Sequence, residues 1–149
     1  MRQRYNIESS EDMEQSIVMQ WAQLNAGRCP ELRLLHHIPN GGDRRTREGA
    51  KLKRMGVLAG VPDLHLPVGR GGFHSLYIEM KYDGGKVSAE QVDFMLKAAE
   101  QNNYCCVCYT AEDAIRILDE YTSLKGLSTM REPNLSVIKE NKQTGTVKK

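Results

Sequence analysis

Two acidic residues and a lysine stand out in this chain because of their setting. Asp63 closes the run Gly60-Val-Pro-Asp63, and Glu79 and Lys81 lie in the apolar stretch Leu76-Tyr-Ile-Glu-Met-Lys81. Alternate side chains of a strand share a face, so Leu76, Ile78 and Met80 point one way and Tyr77, Glu79 and Lys81 the other. The same parity over 61–66 pairs Leu64 with Leu66 and leaves Asp63 and His65 on the opposite face. The glycine-rich Val68-Gly-Arg-Gly-Gly72 between them has hairpin length. If the two strands pair across it, Asp63 and Glu79 project from a common face with Lys81 beside them. Carboxylates on a half-buried face need a reason, because an unpaired buried charge costs about 3–5 kcal/mol. A hard divalent cation supplies one: Mg²⁺ takes a carboxylate or two and completes its shell with water and phosphate. The chemistry expected is displacement at a phosphodiester, whose transition state gathers negative charge that a cation and an ammonium offset. Taken alone, Glu79-x-Lys81 also suits a structural ion pair or a solvent-facing edge strand. The combination with Pro62-Asp63 and a hairpin spacer is far less common.

Positioning these groups requires a sheet and helices, and the sequence supplies both. Ser9 or Ser10 caps a helix with Glu11 and Asp12 in its first turn. Met13, Ile17, Trp21 and Leu24 form its expected apolar stripe, and Glu14 borders that stripe. Residues 32–38 are expected to form a short strand, closed by the turn Pro39-Asn40-Gly41-Gly42. A basic helix follows from about Thr46 to Met55, then the two strands around the hairpin. Ser88-Ala-Glu-Gln91 is a capping box opening a helix whose buried stripe is Val92, Met95, Leu96 and Ala99. A strand Tyr104-Cys-Cys-Val-Cys-Tyr109 and a Thr110-capped helix with Ala114, Ile117, Leu118 and Tyr121 complete the order. The pattern α, β, α, β, β, α, β, α is that of an α/β fold with a mixed central sheet flanked by helices. Residues 1–123 form one domain, and the polar, basic 124–149 read as a tail that is flexible or ordered by a partner.

Composition bounds the remaining possibilities. The chain has 149 residues, enough for one core, with 40% hydrophobic and 27% charged residues and a net charge of +2. No apolar run approaches the roughly 18 residues of a transmembrane helix, and the N-terminus has no apolar signal segment, so a cytoplasmic protein without membrane association is expected. Net charge says little, but Arg44, Arg45, Arg47, Lys51, Lys53 and Arg54 crowd one stretch against a single acid, Glu48. Such a stripe suits either a solvated helix face or a salt-sensitive contact with phosphates. Cys105, Cys106 and Cys108 alternate across a strand and cannot converge on one metal, so they and Cys29 are expected to be reduced thiols. His36-His37-x-x-Asn40 lacks a second downstream histidine at the spacing a His-Asn-His nuclease needs.

The segments His37-Ile-Pro-Asn-Gly-Gly42 with Arg44-Arg45, Met55-Gly-Val-Leu-Ala-Gly-Val-Pro-Asp-Leu64, Ile78-Glu-Met-Lys81 and Ser88-x-x-Gln91 resemble the VRR-NUC domain. That family is a branch of the PD-(D/E)XK nuclease superfamily with a restriction-endonuclease-like fold, found in phage-encoded stand-alone proteins among others. The similarity runs in order from Glu14 to about Tyr121. The resemblance implies a metal-dependent endonuclease in which Asp63, Glu79, the backbone carbonyl of Met80 and Glu14 hold Mg²⁺ or Mn²⁺. It implies that Lys81 orients or activates the attacking water and that Gln91 orients Lys81 or the phosphate, although a pure capping role for Gln91 is equally open. It further implies that His37, Asn40, Arg44, Arg45 and Lys51 face DNA; His36, His65 and His74 carry no assignment. Stand-alone relatives resemble Holliday-junction resolvases, which makes branched DNA the expected partner and a homodimer the expected assembly. A nuclease acting on linear duplex or flaps, or a DNA-binding module that has lost catalysis, are the alternatives.

Overall fold

The computed structural model describes residues 10–39 and 46–125. Its elements in order are α1 (Glu11–Asn25), a 3-10 turn (Pro30–Leu34), β1 (His36–His37), α2 (Arg47–Arg54), β2 (Leu64–Leu66), β3 (Leu76–Met80), α3 (Ala89–Glu100), β4 (Tyr104–Cys108) and α4 (Ala111–Ser123). The strands form a four-stranded sheet in the order β1-β2-β3-β4. The first two pairings are antiparallel and β3-β4 is parallel, with α3 as the crossover that a parallel pair requires. This is the mixed α/β architecture expected from the pattern of elements.

Strand parity divides the core into two layers. Leu64, Leu66, Ile78, Met80, Cys106 and Cys108 face α1 and α4, where Val18, Ala22, Leu118 and Tyr121 pack on them. Cys105 and Val107 face the other way and pack with Val92 and Met95 of α3. The Tyr121 hydroxyl donates to the Val68 carbonyl at 2.6 Å, tying α4 to the hairpin loop. Four helices carry side-chain N-caps, from Ser10, Thr46, Ser88 and Thr110, so their ends fall where the sequence places them.

Two local expectations are corrected. Only His36 and His37 of the stretch 32–38 are strand; Pro30 fixes its φ at the start of a 3-10 turn that buries Leu32 instead. In α1 the buried residues are Val18 and Ala22, whereas Ile17 is 41% and Leu24 80% exposed. The small side chains let α1 lie close to its neighbours, and larger apolar residues are left at its outer edge.

The loop before β2 is held by a backbone-to-backbone contact. Gly60 has φ +84°, and a Cβ there would lie 2.2 Å from the Glu90 carbonyl oxygen and 2.7 Å from the Gln91 nitrogen. The chain leading to Asp63 is thus pressed onto the first turn of α3. Gly84 has a similar φ of +72° but open space around it. Gly84→Ala should therefore cost only the left-handed strain, about 1–2 kcal/mol, while Gly60→Ala should cost at least about 3 kcal/mol in urea unfolding because backbone must also move. Equal costs would show that the close approach is not maintained.

Candidate active site

Asp63 lies just outside β2, after the fully buried Pro62. The β2-β3 register pairs Leu64 with Ile78 and His65 with Tyr77; continued by one residue, it sets Asp63 opposite Glu79. Beyond the end of a strand the ladder no longer fixes the backbone, and other donors do so here. The Asp63 carbonyl accepts from the Ile38 amide at 2.8 Å and from His37 Nδ1 at 2.8 Å. Its carboxylate Oδ2 accepts from the Met80 amide at 2.8 Å, which draws the side chain across to β3.

Glu79 is 1% exposed in the middle of this arrangement. Its Oε1 accepts from Lys81 Nζ at 2.7 Å and from Gln91 Nε2 at 2.6 Å. Its Oε2 is buried and has no hydrogen-bond partner among the described residues. An orphaned carboxylate oxygen is the costliest kind of unsatisfied acceptor, and native interiors rarely keep one without a ligand. Burial pushes the Glu79 carboxyl up to about 7, with the charges of Asp63 and Glu11 adding and the Lys81 ammonium opposing. Burial pulls the Lys81 ammonium down, but its bond to Glu79 and the charges of Glu79, Glu11 and Asp63 outweigh that and hold it above its ordinary value.

Gln91 performs the cap and the site contact together. Its amide oxygen accepts from the Ser88 N–H at 2.8 Å and its backbone N–H donates to Ser88 Oγ at 3.2 Å. With the oxygen engaged in the capping box, the NH₂ end is turned toward Glu79. The capping role is present, and the side-chain contact made beside it is to Glu79, not to Lys81.

Glu14 lies beside the start of α4. Its Oε2 accepts from the Ala111 amide at the start of α4, so this carboxylate serves that helix end. The first-turn acid coupled to the centre is Glu11, which the sequence reading missed. Burial raises the Glu11 carboxyl, the Lys81 charge opposes the rise, and Asp63 adds to it. Glu11, Glu14, Val18 and Ala22 follow helical spacing along one face, so periodicity alone does not separate the two acids. The usable signal was Ser10 as N-cap, which makes Glu11 the first residue of the helix.

Of the residues expected to face DNA, His37 lies on β1 and Lys51 is exposed on α2, a helix with no buried residue and with Lys51, Lys53 and Arg54 in its last turn. Asn40, Arg44 and Arg45 lie outside the described residues, as do 126–149 of the expected tail. The four cysteines are free, and burial raises the Cys105 thiol to about 12, so it is a neutral core group. No group of three or more His, Cys, Asp and Glu side chains among the described residues is arranged to hold a metal. The fitting donors are fewer and harder: the orphaned Glu79 Oε2, the Asp63 oxygen not bonded to Met80 and the Met80 carbonyl, a set suited to an oxygen-seeking cation that keeps water and substrate oxygens. No described helix is long and apolar enough to cross a membrane.

The fold is thus a mixed α/β sheet flanked by helices, with Asp63, Glu79 and Lys81 gathered at one end of β2 and β3. The VRR-NUC domain model matches residues 2–112, and a solved VRR_NUC domain protein is 31% identical, covering 83% of this chain and 98% of its own with a TM-score of 0.69. No curated protein matches the chain. The chain belongs to the VRR-NUC family, whose nucleases act on DNA and generally depend on divalent metal.

The raised Glu79 carboxyl has a consequence for stability. The folded state holds the proton more tightly than the unfolded chain, whose carboxyl titrates near 4.5, so Glu79 is neutral and harmless at low pH. Stability should fall as pH rises from about 4.5 to about 7, where the folded carboxyl also ionises. Subtracting the urea-midpoint profile of Glu79→Gln should isolate that decline in metal-free protein; parallel profiles would contradict it.

Proposed function

We propose that this chain is a divalent-metal-dependent DNA endonuclease with its centre at Asp63 and Glu79. The observation that carries the reading is the buried, partnerless Oε2 of Glu79, opposite a second carboxylate and beside an ammonium. Asp63, Glu79 and the Met80 carbonyl would hold Mg²⁺ or Mn²⁺. The bound cation supplies Lewis-acid stabilisation of phosphate charge and lowers the pKa of coordinated water. Lys81 is fixed by Glu79, so its positive charge is available to orient water and offset charge at the scissile phosphate. Gln91 holds Glu79 Oε1 and leaves Oε2 for the cation. Glu11, and not Glu14, is the helix-one acid assigned to the centre, on the strength of its coupling to Asp63 and Lys81.

The substrate assigned is a four-way junction or other branched DNA, cut by a homodimer in which two centres act on paired strands. The support is the likeness to stand-alone family members, together with the basic face of α2 and the stretch 44–54, with phosphate contacts from Asn40, Arg44, Arg45 and Lys51. Free cysteines suit a reducing cytoplasm. Cleavage of linear duplex or flaps by the same centre is the second reading, favoured by the same metal set.

Asp63→Ala and Glu79→Ala should each abolish cleavage in Mg²⁺, about 10²-fold or more, while DNA binding persists. Lys81→Ala should lose turnover and keep metal binding. Glu11→Gln should lower activity, whereas Glu14→Gln should cost about 1 kcal/mol of stability and leave turnover near wild type. Matched junction, flap and linear substrates, assayed with size measurement in solution, decide substrate and assembly. Wild-type rates in both carboxylate variants would remove the site assignment, and equal rates on all three substrates would remove the branch preference.

A further inference from the structure

We infer that His37 is a positioning residue for the metal centre, acting through the Asp63 backbone. The inference rests on the reading of Asp63 as a cation ligand. Asp63 stands at the one place along β2 where strand pairing has ended on the N-terminal side, after a proline that has no N–H to give. Its carbonyl takes two donors from the β1 side, the Ile38 amide and the His37 ring, each at 2.8 Å. Its carboxylate takes one donor from the β3 side, the Met80 amide at 2.8 Å. The residue is therefore gripped from both neighbouring strands, and among the described residues the imidazole is the only side chain in that grip. β1 itself is just His36–His37, an edge strand too short to hold the end of β2 by ladder bonds alone.

The chemistry of the contact is specific. A carbonyl only accepts, so His37 must carry its proton on Nδ1, and Nε2 is the nitrogen left over. A group replacing His37 must donate from the Nδ1 position. The asparagine amide nitrogen reaches that position, while the longer glutamine places its amide nearer Nε2. This separates His37 from the exposed histidine His36, whose Nδ1 contacts the Leu34 carbonyl within its own segment and touches nothing at the centre. It also separates two roles for His37 that its exposure leaves open, a phosphate contact and a brace for Asp63.

The test uses the full chain, Mn²⁺ titrated by electron paramagnetic resonance, thermal melting, and DNA binding without metal. His37→Ala and His37→Gln should weaken Mn²⁺ binding on the order of 10-fold, as loss of an outer support of a metal ligand does, and His37→Asn should recover most of it. Melting temperatures of the three variants should not follow that order, and metal-free DNA binding should be unchanged. Mn²⁺ affinity that stays at the wild-type value in His37→Gln, or that is as poor in His37→Asn as in His37→Ala, overturns the inference. So does a uniform loss of metal-free DNA binding in all three, which assigns His37 to phosphate. Asp63→Ala is the separating control: if it retains Mn²⁺ affinity, the metal reading itself fails, whereas its loss alongside unaffected His37 variants rejects only the positioning role.

Discussion

A carboxylate is enclosed on an inner strand of this sheet, and one of its oxygens has no hydrogen-bond partner among the described residues. Glu79 is flanked by a lysine and a glutamine that both address Oε1, and Oε2 is buried on a residue whose register neighbour is Asp63. In an apolar interior such a group costs several kcal/mol and is tolerated where a charge of opposite sign offsets it. Lys81 offsets part of the cost, but burial, with the charges of Asp63 and Glu11, still pushes the carboxyl up to about 7. The rest of the site exists to hold this arrangement: Asp63 is clamped from two strands, and Gln91 is locked by the same capping box that starts α3.

The loop and helix that bring the second carboxylate and the glutamine into place are coupled by sterics. Gly60 lets the chain pass against the backbone of Glu90 and Gln91, so the residue that fixes the path to Asp63 also fixes the first turn of α3. A shift in either element would move both Asp63 and Gln91 relative to Glu79. That coupling explains why a glycine, a proline and a capping box sit so close to the chemistry, each supplying a backbone geometry that side-chain packing alone would not enforce.

Much of this was legible in the sequence because it depends on parity and capping. The alternation of β3 placed Glu79 and Lys81 on one face, the register across the hairpin set Asp63 opposite Glu79, and four caps fixed the helix starts. Burial was harder to read. Nothing local in Tyr77-Ile-Glu-Met80 reveals that Glu79 is buried with Gln91 of α3 on its carboxylate, since that depends on where the crossover helix lands. Helix periodicity set Glu11 and Glu14 on one face, and only the docking of α4 against α1 claims Glu14 for the Ala111 amide. The strand expected over 32–38 gave way to a 3-10 turn because Pro30 and the short span to β1 outweigh an apolar run. The bond of His37 to a backbone 26 positions away has no sequence signal.

The central claim is that Asp63 and Glu79 share one cation. Crystals of the full chain grown with Mn²⁺ and measured at the manganese absorption edge test it most directly. The account predicts a single strong anomalous peak between the two carboxylates, within about 2.0–2.2 Å of Glu79 Oε2 and the Asp63 oxygen that Met80 does not bind, the range usual for oxygen ligands of small divalent ions. A peak bound elsewhere, or occupied Mn²⁺ that leaves Glu79 Oε2 without a ligand, would contradict it.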